Sequence, residues 1–134
     1  MRPGMLATLF ALFTATAWAE PPAPAIEAVI DDQIRDFEAG DAQGAFDHAS
    51  PGIQGKFGDP QTFARMVREG YPMIWRPARR EWGDLEKGPR GWVKTVLFVD
   101  QAGLLHEADY RMELVDGVWR IDGVVVRRMP GATS

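Results

Sequence analysis

His106 and Tyr110 are the residues whose types and spacing best suit chemistry in this chain. They fall four apart between Leu104 and Leu114, where every even position except His106 is apolar or aromatic and the odd ones include Glu107, Asp109, Arg111 and Glu113. Such alternation marks a half-buried strand, so imidazole and phenol point to the same apolar side. There they can serve as general base and proton donor, given burial that brings the histidine near working pH. The competing reading is a hydrogen-bonded histidine near a sheet edge, a usual setting for an imidazole of intermediate burial. Tyr71 and Trp75, flanking Pro72 in a segment without periodicity, are the other candidate ligand contacts, with flat apolar faces and a phenol and an indole N–H as handles. No metal is expected, because His48 and His106 are the only histidines and no carboxylates have ligand spacing. No cofactor is expected either: no glycine-rich phosphate loop or nucleophile elbow is present. Asp31, Asp32, Asp36, Glu38 and Asp41 read as the solvated side of a helix.

The elements that must position these residues follow an export signal. Arg2 precedes an apolar stretch from Met5 to Ala17, and Ala17-Trp18-Ala19 is a small-x-small cleavage pattern, so residues 1–19 read as a signal peptide. The stretch is shorter than the roughly 20 residues that span a bilayer, and no membrane association is expected after cleavage. Removing it leaves 115 of 134 residues, one domain's worth. Residues 20–25 read as a proline-rich tether, 26–128 as a single domain, and 129–134 as a flexible tail. With no cysteine in the chain, the domain must be held by packing alone. Without Arg2, 14 basic residues face 19 acidic ones, which argues against nucleic acid as a partner. The basic cluster Arg76, Arg79 and Arg80 reads as a solvated strand face.

Ile26, Val29, Ile30, Ile34 and Phe37 recur at helical spacing up to Gly40. Asp41 can cap a second helix through Ala45, Phe46 and Ala49 that Ser50-Pro51-Gly52 stops, and Asp59-Pro60 opens a third that ends at Gly70. The period then changes to two. Asp116-Gly117 is a two-residue hairpin signal that sets Leu114 opposite Trp119, Met112 opposite Ile121, Glu113 opposite Arg120 and Arg111 opposite Asp122. A four-residue turn at Asp100 to Gly103 would set Lys94 against Asp109 and Leu97 against His106, with Trp92 outside against Arg111. An earlier strand around Ala78 to Leu85 has an open register. The fold class expected is α+β: three N-terminal helices on a curved antiparallel sheet of about four strands, cone-like in form.

This order of elements resembles the nuclear-transport-factor-like superfamily of ketosteroid isomerase, scytalone dehydratase and SnoaL-type cyclases, in which a bent sheet and helices enclose a pocket. That resemblance implies a pocket in which histidines, tyrosines and carboxylates move protons, although the isomerases' aspartate–tyrosine–aspartate trio has no assignable counterpart here. Ser50-Pro51-Gly52-Ile53-Gln54, Phe57-Gly58, Met66-Val67, Gly70-Tyr71-Pro72, Arg76-Pro77 and Trp119-Arg120-Ile121-Asp122-Gly123 are similar to a family of small exported bacterial proteins known as a domain of unknown function. The likeness covers about residues 26 to 127, and that family implies no activity. The reading adopted is an exported, non-enzymatic module that binds a small apolar ligand or a protein partner. A homodimer through an outer sheet face diluted by Val96, Val118 and Val124 is its expected assembly. The alternatives are a pocket isomerase, dehydratase or cyclase using His106 and Tyr110, and an envelope accessory protein without a ligand.

Overall fold

The computed structural model describes residues 22–130 and Gly4, so the leader reading and the last four residues of the tail reading lie outside the described residues. Five helices precede four strands among them: α1 (Ala23–Ala39), α2 (Ala42–Asp47), α3 (Pro51–Phe57), α4 (Pro60–Gly70), α5 (Pro72–Trp75), β1 (Arg79–Gly88), β2 (Gly91–Val99), β3 (Leu105–Val115) and β4 (Val118–Arg128). The α+β class and the four-stranded antiparallel meander match expectation, with five helices in place of three. Ala23 and Pro24, read as tether, form the first turn of α1, where proline's missing N–H costs nothing. At the other end Met129 is tied to the sheet by its N–H to Leu105 O at 2.9 Å.

One local rule opens both α4, which was expected, and α3, which was not. Asp59 accepts from Thr62 N at 2.9 Å, with Pro60 at the first helical position. Ser50 does the same for Ile53 N at 3.2 Å, with Pro51 behind it. A capping side chain followed by proline starts a helix as effectively as proline stops the preceding one. Ser50-Pro51-Gly52, expected only to end the second helix, therefore opens α3. Likewise Pro72 starts the single turn α5, so Tyr71 precedes and Trp75 ends a helical turn and not an irregular segment.

The β3–β4 hairpin turns through Asp116 and Gly117, both at positive φ (49° and 78°), and pairs Leu114 with Trp119 and Met112 with Ile121. Beyond that point Arg111 faces Gly123, because Asp122 is an extra residue that bulges β4. The expected Arg111–Asp122 charge match survives as a side-chain contact, Nε to Oδ2 at 3.1 Å.

The β2–β3 register is corrected by one residue. Thr95, not Lys94, faces Asp109, and Phe98, not Leu97, faces His106. The loop holds five residues, closed by Asp100 N to Leu104 O at 2.9 Å. A slip of one turns every side chain over. Lys94, Val96 and Phe98 consequently lie inside, and Trp92 faces Met112 on the inner side instead of stacking outside on Arg111. Val96 is fully buried and Val124 packs on the core, so only Val118 of the three valines offered for an outer interface faces out. In β1, Gly83 and Asp84 together oppose Thr95, and this bulge brings Leu85 rather than Asp84 onto the face of Arg80 and Trp82.

Helices cover the inner sheet face, burying Ile26, Ile30, Ile34 and Phe37 of α1 against Val96, Phe98, Ala108, Tyr110 and Met112, each large side chain contributing about 1.5–3 kcal/mol. Charge ties α1 in place: Arg80, expected on a solvated face, pairs inward with Asp31, and buried Lys94 lies 3.9 Å from Glu27. On the β4 edge, Ser50 N donates to Ile121 O and Ile121 N to His48 O, both at 2.8 Å, a parallel bridge that occupies part of an otherwise open strand edge.

Candidate functional site

A half-open cavity of about 160 Å³ lies between α3, α4, the α4–α5 junction and the inner face of β3 and β4. Its floor is made of core residues, among them Phe37, Phe63 and Tyr110, and its rim of Ile53, Lys56, Phe57, Met66 and Tyr71. The α3 rim stands over the sheet because its first turn is anchored there: Ser50 Oγ donates to Asp122 Oδ1 at 2.6 Å while accepting from Ile53 N. Asp122 is held in turn by Arg111. Two of the segments carrying the family likeness, Ser50-Pro51-Gly52 and Ile121-Asp122-Gly123, thus meet here as scaffold. Phe63 is the centre of the aromatic wall, 6.0 Å from Phe37, 5.6 Å from Phe46 and 5.7 Å from Phe57 between ring centroids.

Tyr110 is wholly buried, and its hydroxyl is the one buried side-chain atom among the described residues without a hydrogen-bond partner. Burial pushes its phenol far above the usual range, an effect only partly offset by the Arg80 charge, so it stays protonated and can act only as a hydrogen-bond donor or a neutral acceptor. Gln33 is the second buried polar residue on the cavity, its Nε2 donating to Ala45 O at 3.0 Å. A buried donor left unmet is a feature that folding alone does not favour, since such a group forfeits the bonds it had in water.

Of the four residues singled out from sequence, the structure brings Tyr71 and Tyr110 to this cavity. Trp75 packs on Phe37 instead, ring centroids 5.4 Å apart, and is not among the lining residues. His106 is buried on the same sheet face as Tyr110 but does not line the cavity. Four residues along a strand put their backbones about 13 Å apart. His106 Nε2 lies 2.8 Å from Asp100 Oδ2, and Asp100 Oδ1 also accepts from Ala102 N and Leu104 N at 2.9 Å each. The histidine bond, followed by these backbone N–H groups, holds the Asp100 carboxyl below the usual carboxylate range. The imidazole's partner is therefore a turn, the hydrogen-bonded setting weighed against catalysis from sequence, but on an inner strand and not near a sheet edge as expected.

Sequence reasoning missed Gln33, Ile53, Lys56 and Phe57. Gln33 had a signal, a polar residue at helical spacing between Ile30 and Phe37 on an apolar stripe. The other three were hidden because α3 was not expected. No group of three or more His, Asp or Glu among the described residues is placed to hold a metal ion.

Cavity, helices and bent sheet together define a nuclear-transport-factor-like cone. It is similar to an NTF-2 like protein of unknown function from Silicibacter pomeroyi, with a TM-score of 0.54, 18% identity, and coverage of 80% of this chain and 95% of that one. It is also similar to Aln2 from a Streptomyces species, with a TM-score of 0.50, 15% identity, and coverage of 79% and 89%. At these identities the likeness is one of fold. Residues 19–134 match the model of DUF4864, a domain of unknown function, and the chain belongs to that family. No curated protein matches it in sequence.

Proposed function

We propose that the chain is an exported binding module whose cavity holds a small apolar molecule carrying a hydrogen-bond acceptor. The observation that carries this reading is that Tyr110, whose side chain lines the apolar cavity, has a buried hydroxyl without a partner, because a bound oxygen reached by a small movement of the ring would satisfy the donor that the protein leaves unmet. Size supports a modest ligand: an apolar cavity of about 150 Å³ accommodates benzene. At about 160 Å³ this one suits a single ring and not a fused-ring skeleton. Tyr71 at the rim adds a second phenol and an aromatic face. Proton transfer between His106 and Tyr110 is not part of the reading, since Asp100 occupies the imidazole and His106 is not among the residues that line the cavity.

Export, read from residues 1–19, places the binding event outside the cytoplasm. Assembly through the uncovered outer sheet face belongs to the same proposal, with Val118 kept and Val93, Leu97, Val99, Leu105 and Val125 in place of Val96 and Val124 as its apolar side chains. Native mass spectrometry of protein purified from the exported fraction tests these points together. A chain beginning at Glu20 that carries a co-purifying small molecule is the expected species. A protein that retains residues 1–19, or one whose cavity resonances respond to no single-ring compound in solution, contradicts the export and binding parts respectively.

A further inference from the structure

The chain carries 19 acidic residues, yet none lines the cavity. The one charged side chain on the lining is Lys56, exposed at the mouth in the last turn of α3. Its ammonium stands 5.6 Å from the Phe57 ring centroid and makes no salt bridge among the described residues. The inward-facing cations Arg80 and Lys94 differ, each having a carboxylate of α1 beside it.

We infer that the ligand is a small aromatic monocarboxylate, its carboxylate at the mouth with Lys56 and its ring against the Phe57–Phe63 wall. This rests on the binding function proposed above and names the ligand class for it. The orientation follows from solvation. Driving a carboxylate to the apolar floor would strip its water without a counter-charge, whereas at the mouth water and the Lys56 ammonium share it. The ring gains from edge and face contacts with the phenylalanines, and an oxygen on its far side is what the Tyr110 hydroxyl can bond. In a chain of net charge −4, a lining without carboxylates also removes the repulsion that an acid would otherwise meet locally.

4-Hydroxybenzoate and 4-hydroxybenzyl alcohol, the same ring and far-side oxygen with and without the charge, separate this inference from the reading beneath it. Titrated into the mature protein at low salt and followed by NMR, 4-hydroxybenzoate is expected to bind about fivefold tighter, equivalent to about 1 kcal/mol from one solvent-accessible ion pair. That advantage disappears in Lys56→Gln, returns in Lys56→Arg and shrinks at high salt. Equal affinity of the two probes, or an advantage that survives Lys56→Gln, overturns the carboxylate assignment and leaves apolar binding standing. If neither probe moves the resonances of Phe57, Met66 and Tyr71 by about 10 mM, the binding function itself falls.

Discussion

Removing the Tyr110 hydroxyl tests the central argument through stability, with no ligand required. In Tyr110→Phe the ring stays where it is, wholly buried against Phe98 at 6.4 Å between centroids, and only the unpartnered oxygen is lost. A buried donor without a partner costs about 1–3 kcal/mol. The void left by one oxygen is smaller than a methylene group and returns less than about 0.8 kcal/mol of that. The ligand-free variant is therefore expected to be more stable than the parent by about 1 kcal/mol. In a domain of this size that raises the melting temperature by about 4 °C. Urea denaturation should show the midpoint rising with an unchanged slope, since the surface exposed on unfolding is the same. A loss of 1 kcal/mol or more would refute the reasoning, because it would mean that the hydroxyl already has a partner, such as a buried water, and is not kept for a ligand. The same variant should bind an acceptor-bearing ring more weakly relative to toluene, and failure there with the stability gain intact would detach the hydroxyl from binding.

Ser50→Ala removes the cap of α3 and the 2.6 Å bond to Asp122, and should cost about 2 kcal/mol in urea denaturation. Glycine to alanine should have opposite signs in two helices. Gly55→Ala, with open space around its added carbon, should stabilise by about 0.5–1 kcal/mol, whereas at Gly44 the carbon would lie 2.5 Å from the Asp41 carboxylate and dislodge that cap, costing about 1 kcal/mol in thermal unfolding. Asp100 has a folded-state value held below its unfolded one, so its contribution is fully present above about pH 3.9 and fades as pH falls through the lower folded value. Asp100→Asn should accordingly be less stable than the parent at pH 7 with the difference narrowing in acid, and a gap that widened towards low pH would contradict the His106–Asp100 assignment.

Strand type, hairpin turn and most of the helical stripe were legible because each is written in neighbours along the chain. Alternation from His106 to Met112 put those side chains inside, and Asp116-Gly117 set its own register by needing positive φ twice. Capping grammar was legible too, but one triplet, Ser50-Pro51-Gly52, both stops and starts a helix. Reading only the stop concealed α3 and with it the rim residues Lys56 and Phe57.

What tertiary structure decided were the steps of one residue and the distances across elements. Whether the loop after β2 holds four residues or five depends on how Asp100 closes it, and that single count moves Lys94, Val96 and Trp92 from outside to inside. The Asp122 bulge lets β4 turn the acid towards Ser50 and Arg111, partners 72 and 11 positions away in sequence. Periodicity showed that His106 and Tyr110 share a face. It could not show that one would close a turn while the other lay under a cavity, because the helices covering that face are placed by packing between distant segments, and packing has no signature in the order of residues along one strand.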